Sequence, residues 1–316
     1  MGSTAPNPMV GCVIVVDHKI IAEGYTSPYG GAHAEVNAIQ SVKDPSLLCE
    51  ATLYVTLEPC AHFGKTPPCS DLIIAHKIPR VVIGCVDEHD KVCGKGIAKL
   101  KAAGCEVSVG VLETECKAHH KRFFTYHTKK RPYIILKWAE SNDGFMAPLS
   151  KSETKPVWIS NSYSRQLVHQ WRAEEQAILV GANTVVQDNP SLTTREVEGP
   201  NPTRIVIDPK NSLAETYQVF NSDAKTIRLT SVEIDVQKPL ASEVCNALHT
   251  HQINSVIVEG GQKTLQAFID ENLWDEARIF SSDLKLVEGV SNPKISGTLV
   301  AETSIGSDCL KILTND

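Results

Sequence analysis

The 316-residue sequence has no apolar run near the roughly 20 residues a membrane-crossing helix needs. Its first residues, MGSTAPNPMVGCVIVV, show neither a basic leader nor a small-residue cleavage site, so a soluble, cytoplasmic protein with no membrane partner is expected. Aromatic residues are scarce, at 6%, and Lys+Arg 31 against Asp+Glu 37 leaves a net charge of −6. Without a basic excess or interleaved basic and aromatic stretches, nucleic acid is not an expected partner, although a local basic pocket still suits a phosphate. Cysteine, 10 in the whole chain, is too sparse for a disulfide scaffold. The thiols are therefore read as reduced and available to a metal. The second half also lacks a G-x-G-x-x-G after its first strand, so the usual dinucleotide fingerprint is missing.

What is present is an ordinary globular composition, 42% hydrophobic and 22% charged, long enough for two cores. The β-branched run Val10–Val16 and the shorter Ile20–Ala22 predict a hairpin. A helix is predicted from about His33, then a strand Ala51–Leu57, a helix Cys69–His76, a strand Arg80–Val86, a helix Gly96–Gly104 and a short strand Glu106–Val111. This alternation implies a three-layer α/β domain with right-handed crossovers. Lys129, Lys130 and Arg131 before Pro132 read as a solvated linker, giving domains of residues 1–128 and 129–316. The second half predicts strands Tyr133–Trp138, Ala177–Val180, Arg204–Ile207 and Ser255–Val258, and helices Ser162–Arg172 and Thr264–Glu271. Beyond Ser281 the pattern is too weak to assign.

The chemistry-bearing residues of the first half are spaced like a metal site. His33-Ala34-Glu35 is followed by Glu58-Pro59-Cys60 and then by Cys69. A catalytic zinc takes three protein ligands and keeps one open position, which an imidazole and two thiolates supply. Glu35, two residues past the His, can stand beside that open position without ligating, as an acid/base for attack of water on an amidine-like carbon. A closed structural zinc would want a fourth ligand from a second tight cysteine pair, and the remaining cysteines form none. His119-His120 reads as an exposed helix end rather than a metal site. Between Cys60 and Cys69 lies AHFGKTPP, whose His62, Lys65 and Thr66 suit a phosphate or ring oxygen. Pro6-Asn7-Pro8 is either a stiff loop or a rigid presentation of the Asn7 amide to a ligand.

In the second half, Val256–Gly261 before a helix is a strand, a glycine turn and a helix start that suits a pyrophosphate, or simple packing punctuation. A ligand loop is predicted after Ala177–Val180, carrying Gly181, Thr184, Asp188 and Arg195. Arg172 and Arg195 are candidate phosphate clamps.

PNPMVGCVIV, HAEVNAI, YVTLEPCAHFGKTPPC, ILVGANTVVQDNPSLTTR, PTRIVID and VIVEGG resemble the bifunctional riboflavin-biosynthesis deaminase/reductase family over nearly the whole chain. The resemblance implies a cytidine-deaminase-like domain followed by a dihydrofolate-reductase-like α/β domain. The first would deaminate 2,5-diamino-6-ribosylamino-4(3H)-pyrimidinone 5′-phosphate with one Zn2+. The second would reduce the ribosyl group of the product to ribityl with NADPH. Phosphorylated pyrimidines are thus the implied substrates, and a homo-oligomer the implied assembly. Carried over by motif, His33, Cys60 and Cys69 match the zinc ligands, Glu35 the proton shuttle, and Asn7, His62 and Lys65 the deaminase substrate positions. Trp158, Thr184, Asp188 and Gly261 fall where the family holds NADPH. Arg172, Leu192, Arg195 and Glu259 fall where it holds the ribosyl phosphate, with Lys137 and Asp188 beside the sugar. Two other readings fit part of the pattern: a nucleic-acid base deaminase with an accessory domain, and a zinc-stabilised binding or regulatory protein whose deaminase pocket has decayed. The first needs RNA binding, the second metal retention without turnover.

Overall fold

The computed structural model describes residues 4–63, 67–88, 93–151, 154 and 157–315. Contacts divide the chain into two compact units, Ser3–Lys130 and Arg131–Asp316. Among the described residues no helix is long and apolar enough to cross a membrane.

The first unit contains β1 (Gly11–Val16), β2 (Lys19–Tyr25), α1 (Ala34–Ser41), β3 (Thr52–Leu57), α2 (Cys69–Ala75), β4 (Arg80–Cys85), α3 (Lys95–Ala102), β5 (Glu106–Val109) and α4 (Glu113–Lys129). Its sheet runs β2-β1-β3-β4-β5, with β1 antiparallel to both neighbours and β3, β4 and β5 parallel. The two-residue period of a strand sends Cys12, Ile14 and Val16 of β1 into one core with Ala38 of α1, Ile73 of α2 and Leu100 of α3. The opposite face is covered by α4, whose Cys116, Phe123 and Phe124 pack on Leu57 and Cys85. Glycine at position 84 of β4 is required there, because a Cβ would collide with Cys116 Sγ. The exposed helix end expected at His119-His120 is instead the middle of α4. His119 is exposed and donates to the Met9 carbonyl at 2.7 Å, whereas His120 is buried 3.2 Å from Thr56 Oγ1, and burial pushes it down to about 4.

The second unit contains β6 (Tyr133–Glu140), β7 (Phe145–Ala147), α5 (Ser162–Glu174), β8 (Ala177–Gly181), α6 (Ala182–Asp188), β9 (Thr203–Ile207), β10 (Thr226–Leu229), α7 (Leu240–Thr250), β11 (Ser255–Glu259), α8 (Gln262–Asp270), β12 (Glu276–Ser281), β13 (Val290–Ser291), β14 (Thr298–Ile305) and β15 (Asp308–Thr314). Its sheet runs β10-β9-β8-β11-β6-β12-β15-β14, parallel through β12 and antiparallel over the last two strands, while β13 pairs with β7. Along β6, Ile134, Leu136 and Trp138 join the core under α7 and α8, and Tyr133 and Ile135 join the one under α5 and α6. The alternation therefore delivers Lys137 to the α5 face, where the parallel register sets it opposite Glu259 at the end of β11.

Three sequence readings change here. Arg131 is not a solvated linker residue: it is buried, and its two terminal nitrogens donate to Asp275 at 2.5 and 2.8 Å. Thr184 and Asp188 stand on α6 rather than in a loop, since the chain enters a helix directly from β8. The unpatterned tail forms β13 and the β14–β15 hairpin; β14 is exposed over most of its length, so it has no buried face to impose a two-residue period.

Arg204 of β9 is wholly buried. Its Nε donates to Thr226 Oγ1 at 2.9 Å, and its terminal nitrogens reach the carbonyls of Ser191, Gln218, Asn221 and Ala224. One side chain thus ties together two loops that flank the second unit's cavity. Arg204→Leu leaves several of these acceptors unsatisfied and should destabilise the second unit by about 3 kcal/mol or more. Urea unfolding measures it; a loss below about 1 kcal/mol would show that the loops hold without it.

Candidate functional site

The first candidate site forms where three segments meet. His33 is the residue before α1, Cys60 follows β3, and Cys69 opens α2. Their ligand atoms all lie within 4.8 Å of one another, with His33 Nδ1 3.2 Å from Cys69 Sγ and 3.7 Å from Cys60 Sγ. The Cys69 backbone N–H also donates to Cys60 Sγ, at 3.3 Å. The hydrogen bond from Cys69, aided against burial by His33, holds the Cys60 thiol down at about 4, while the same bond and burial push Cys69 upward. Two sulfurs sharing one proton beside an imidazole nitrogen form a donor set that fits zinc, which takes both as thiolates and releases the proton. Glu35, in the first turn of α1, is 4% exposed, and burial raises its carboxyl to about 7.

A cavity of about 340 Å³ opens on this cluster. Asn7, His33, Glu35, Cys60 and His62 all line it. Lys65, together with Thr66, lies outside the described residues. Phe123 and His127 of α4 also line the cavity, and both were missed because His119-His120 reads from the sequence as a helix end. Glu58 was noticed only as part of the Glu-Pro-Cys triplet, yet its buried carboxylate organises the region. It accepts from the backbone N–H groups of Asp87 at 3.3 Å, Gly94 at 2.9 Å, Gly96 at 2.9 Å and Ile97 at 3.2 Å. Those bonds fasten the end of β3, and with it Cys60, to the start of α3. The fit is close enough that a Cβ at Gly96 would strike the Pro59 carbonyl.

The second candidate site is a cavity of about 590 Å³ in the second unit. Lys137, Trp158, Arg172, Thr184, Asp188, Leu192, Arg195 and Glu259 all line it. Gly261 does not: the neighbouring Gly260 lines the wall, while Gly261 (φ 68°) caps the start of α8. At the floor, Arg172 donates to Glu259 at 2.9 Å and the Lys137 ammonium stands 3.9 Å from the same carboxylate. Burial opposes the charge on Glu259, but Arg172 and Lys137 hold its carboxyl below the ordinary range. Burial lowers Lys137 in turn. Arg172 Nε and Glu259 Oε1 are buried without a hydrogen-bond partner among the described residues, so the floor retains unspent polar capacity. Asp188 pairs with Lys151, which the sequence reading did not single out. Half-exposed Trp158 has the Arg165 guanidinium 4.9 Å over its ring. His169, also missed, lines the same cavity.

Glu58→Ala strips four backbone donors of their acceptor, three of them around the first turn of α3. It should cost about 2–4 kcal/mol in the first unit and weaken zinc retention, measured by unfolding and by metal content after dialysis. Full stability with full metal occupancy would show that the Cys60 turn holds its shape unaided.

Two family matches cover most of the chain. Residues 1–85 match the cytidine and deoxycytidylate deaminase zinc-binding region, and residues 132–286 match the RibD C-terminal domain. The riboflavin biosynthesis protein RibD of Aquifex aeolicus is 40% identical over 306 residues, 92% of this chain and 85% of that protein. RibD of Actinobacillus pleuropneumoniae is 37% identical over 98% of this chain and 84% of its own length. A Thermotoga maritima crystal structure, described as a diaminohydroxyphosphoribosylaminopyrimidine deaminase/5-amino-6-(5-phosphoribosylamino)uracil reductase, superposes with a TM-score of 0.90 at 38% identity, covering 99% of this chain and 94% of that one. The zinc-type triad at the head of one α/β unit and the charged cavity of a second, joined to relatives matched across both, make this chain a member of the RibD family, bifunctional deaminase/reductases of riboflavin biosynthesis.

Proposed function

We propose that the first unit deaminates 2,5-diamino-6-ribosylamino-4(3H)-pyrimidinone 5′-phosphate, and that the second reduces the ribosyl group of 5-amino-6-ribosylaminouracil 5′-phosphate to ribityl with NADPH. The observation that carries the first half is the convergence of His33, Cys60 and Cys69 at the base of a cavity that also holds Glu35. Zinc held by these three side chains supplies Lewis acidity that makes water a nucleophile near neutral pH. Glu35 takes the proton of the attacking water and returns it to the ring nitrogen and the departing amine. Its buried carboxyl, raised toward 7, suits a group that must both accept and donate, and a neighbouring cation would draw that value down. Asn7 and His62, on the cavity wall, orient the pyrimidine, and Phe123 of α4 shields it from solvent.

In the second unit, Arg172 and Arg195 hold the 5′-phosphate. Two guanidinium groups against the single carboxylate of Glu259 leave a positive balance that an anion can complete. Leu192 packs on the ribosyl chain from the loop between them. Lys137 and Asp188 position the sugar, and Lys137, desolvated and facing Glu259, stands ready to move a proton there. Trp158, Thr184 and Gly260 are the cofactor side of the cavity, with Thr184 packed against Gly260 and Gly261 behind it at the start of α8. NADPH supplies the hydride, and the protein's share is geometry and charge.

Glu35→Gln should lower ammonia release by about 10²–10⁴-fold. NADPH oxidation on 5-amino-6-ribosylaminouracil 5′-phosphate should continue at the unmodified rate. Undiminished ammonia release would eliminate Glu35 as the proton carrier. Stripping the metal with a chelator should likewise abolish ammonia release and spare NADPH oxidation, with zinc restoring the first. Loss of both activities together would contradict the division of labour between the units.

A further inference from the structure

The loop 189–195 carries one of the two proposed phosphate ligands, and it is gripped from α5 by two side chains three residues apart, which share one helix face. Arg172 donates to the Thr193 carbonyl at 3.3 Å. His169, 3% exposed, accepts the Arg195 backbone N–H on Nδ1 at 3.0 Å. Arg195 then folds its guanidinium back over its own loop, onto Ser191 Oγ and, at 3.0 Å, Thr193 Oγ1. The His169 bond fixes the tautomer: Nδ1 supplies a lone pair, the proton sits on Nε2, and Nε2 faces Glu196 at 3.9 Å. Burial, with Arg172 and Arg195 nearby, pushes His169 down to about 4, so the ring stays neutral and the lone pair remains available near pH 7. Arg195 and Arg172 line the same cavity, and burial together with Arg172 lowers Arg195. Glu196 and Glu259 offset part of that repulsion, but the Arg195 main chain is fixed by His169 and its guanidinium by Ser191 and Thr193.

We infer that His169 is a positioning residue of the reductase, a neutral acceptor that pins the Arg195 main chain and so sets the Arg172–Arg195 pair at the spacing a phosphate monoester requires. This rests on the reading of that pair as the 5′-phosphate ligands. The role belongs to one lone pair rather than to the bulk of the ring. Asn, whose amide oxygen hangs from the same carbon as Nδ1, restores the acceptor; Leu fills the space without one.

The experiment compares His169→Leu, His169→Asn and Arg195→Ala in the full-length enzyme, following NADPH oxidation on the phosphorylated substrate and on its dephosphorylated form. His169→Leu should raise KM for the phosphorylated substrate about tenfold, the effect of one lost buried hydrogen bond, with kcat and the KM for NADPH nearly unchanged. His169→Asn should bring KM back to within about threefold. On the dephosphorylated substrate, His169→Leu and the unmodified enzyme should be indistinguishable. An unchanged KM in His169→Leu, no rescue by Asn, or an equal penalty on the dephosphorylated substrate would each overturn the inference. Arg195→Ala separates the two layers. If it too leaves KM unchanged, the phosphate reading falls and the inference with it; if it raises KM while His169→Leu is silent, only the role of His169 falls.

Discussion

A parallel sheet covered by helices on both faces leaves its polar chemistry one place to collect, at the carboxyl ends of the strands and in the turns just beyond them. Both units obey this constraint. In the first, Cys60 lies past the end of β3, and the starts of α1 and α2 bring His33 and Cys69 to meet it. In the second, Glu259 ends β11, Gly181 ends β8, and Lys137 occupies β6 at the level of Glu259. Below those ends the strands are covered mainly by aliphatic and aromatic core, with Arg204 the largest buried exception.

The two sites solve opposite electrostatic problems with the same tool, burial. In the first, withdrawal from water makes thiolates and a carboxylate costly, so a divalent cation is the natural complement. In the second, Lys137, Arg172 and Arg195 gather around one carboxylate, so the natural complement is an anion. Each cavity is pre-organised by a buried side chain that works through the backbone: Glu58, itself on the cavity wall, through amides in one, and Arg204, behind the wall, through carbonyls in the other. They keep turns in place so that reactive side chains need not reorganise.

Much of this was readable in the sequence because the reactive residues sit on short, rigid punctuation. His33-Ala34-Glu35 and Pro59-Cys60 lie where apolar strand and helix patterns begin or stop, and eight of the ten residues singled out in the second half, all but Gly181 and Gly261, line one cavity. What escaped did so for physical reasons. The buried stripe of α4 is made of Cys116, His120, Phe123 and Phe124, and two histidines side by side look like surface. With α4 went Phe123 and His127, the far wall of the first cavity. Arg131 reads as a solvated linker cation and Arg204 only as the first residue of a strand, since a buried arginine is recognised only by its partners, and these come from Asp275 and from carbonyls up to 20 residues away. Lys151 and His169 could not be found by spacing, because each acts through a neighbour that the fold, not the sequence, brings alongside.

The three ligands of the first site belong to segments that are otherwise separate in the chain, at positions 33, 60 and 69. An ion that ties them together is a cross-link as well as a reagent, and it binds the folded arrangement far better than an open chain. The melting point of this unit is therefore a function of how much free zinc the surroundings supply, rising with the logarithm of its concentration. Scarcity of the metal would be felt first as shortened protein lifetime, before any titration of turnover, and would fall on one half of a two-headed enzyme.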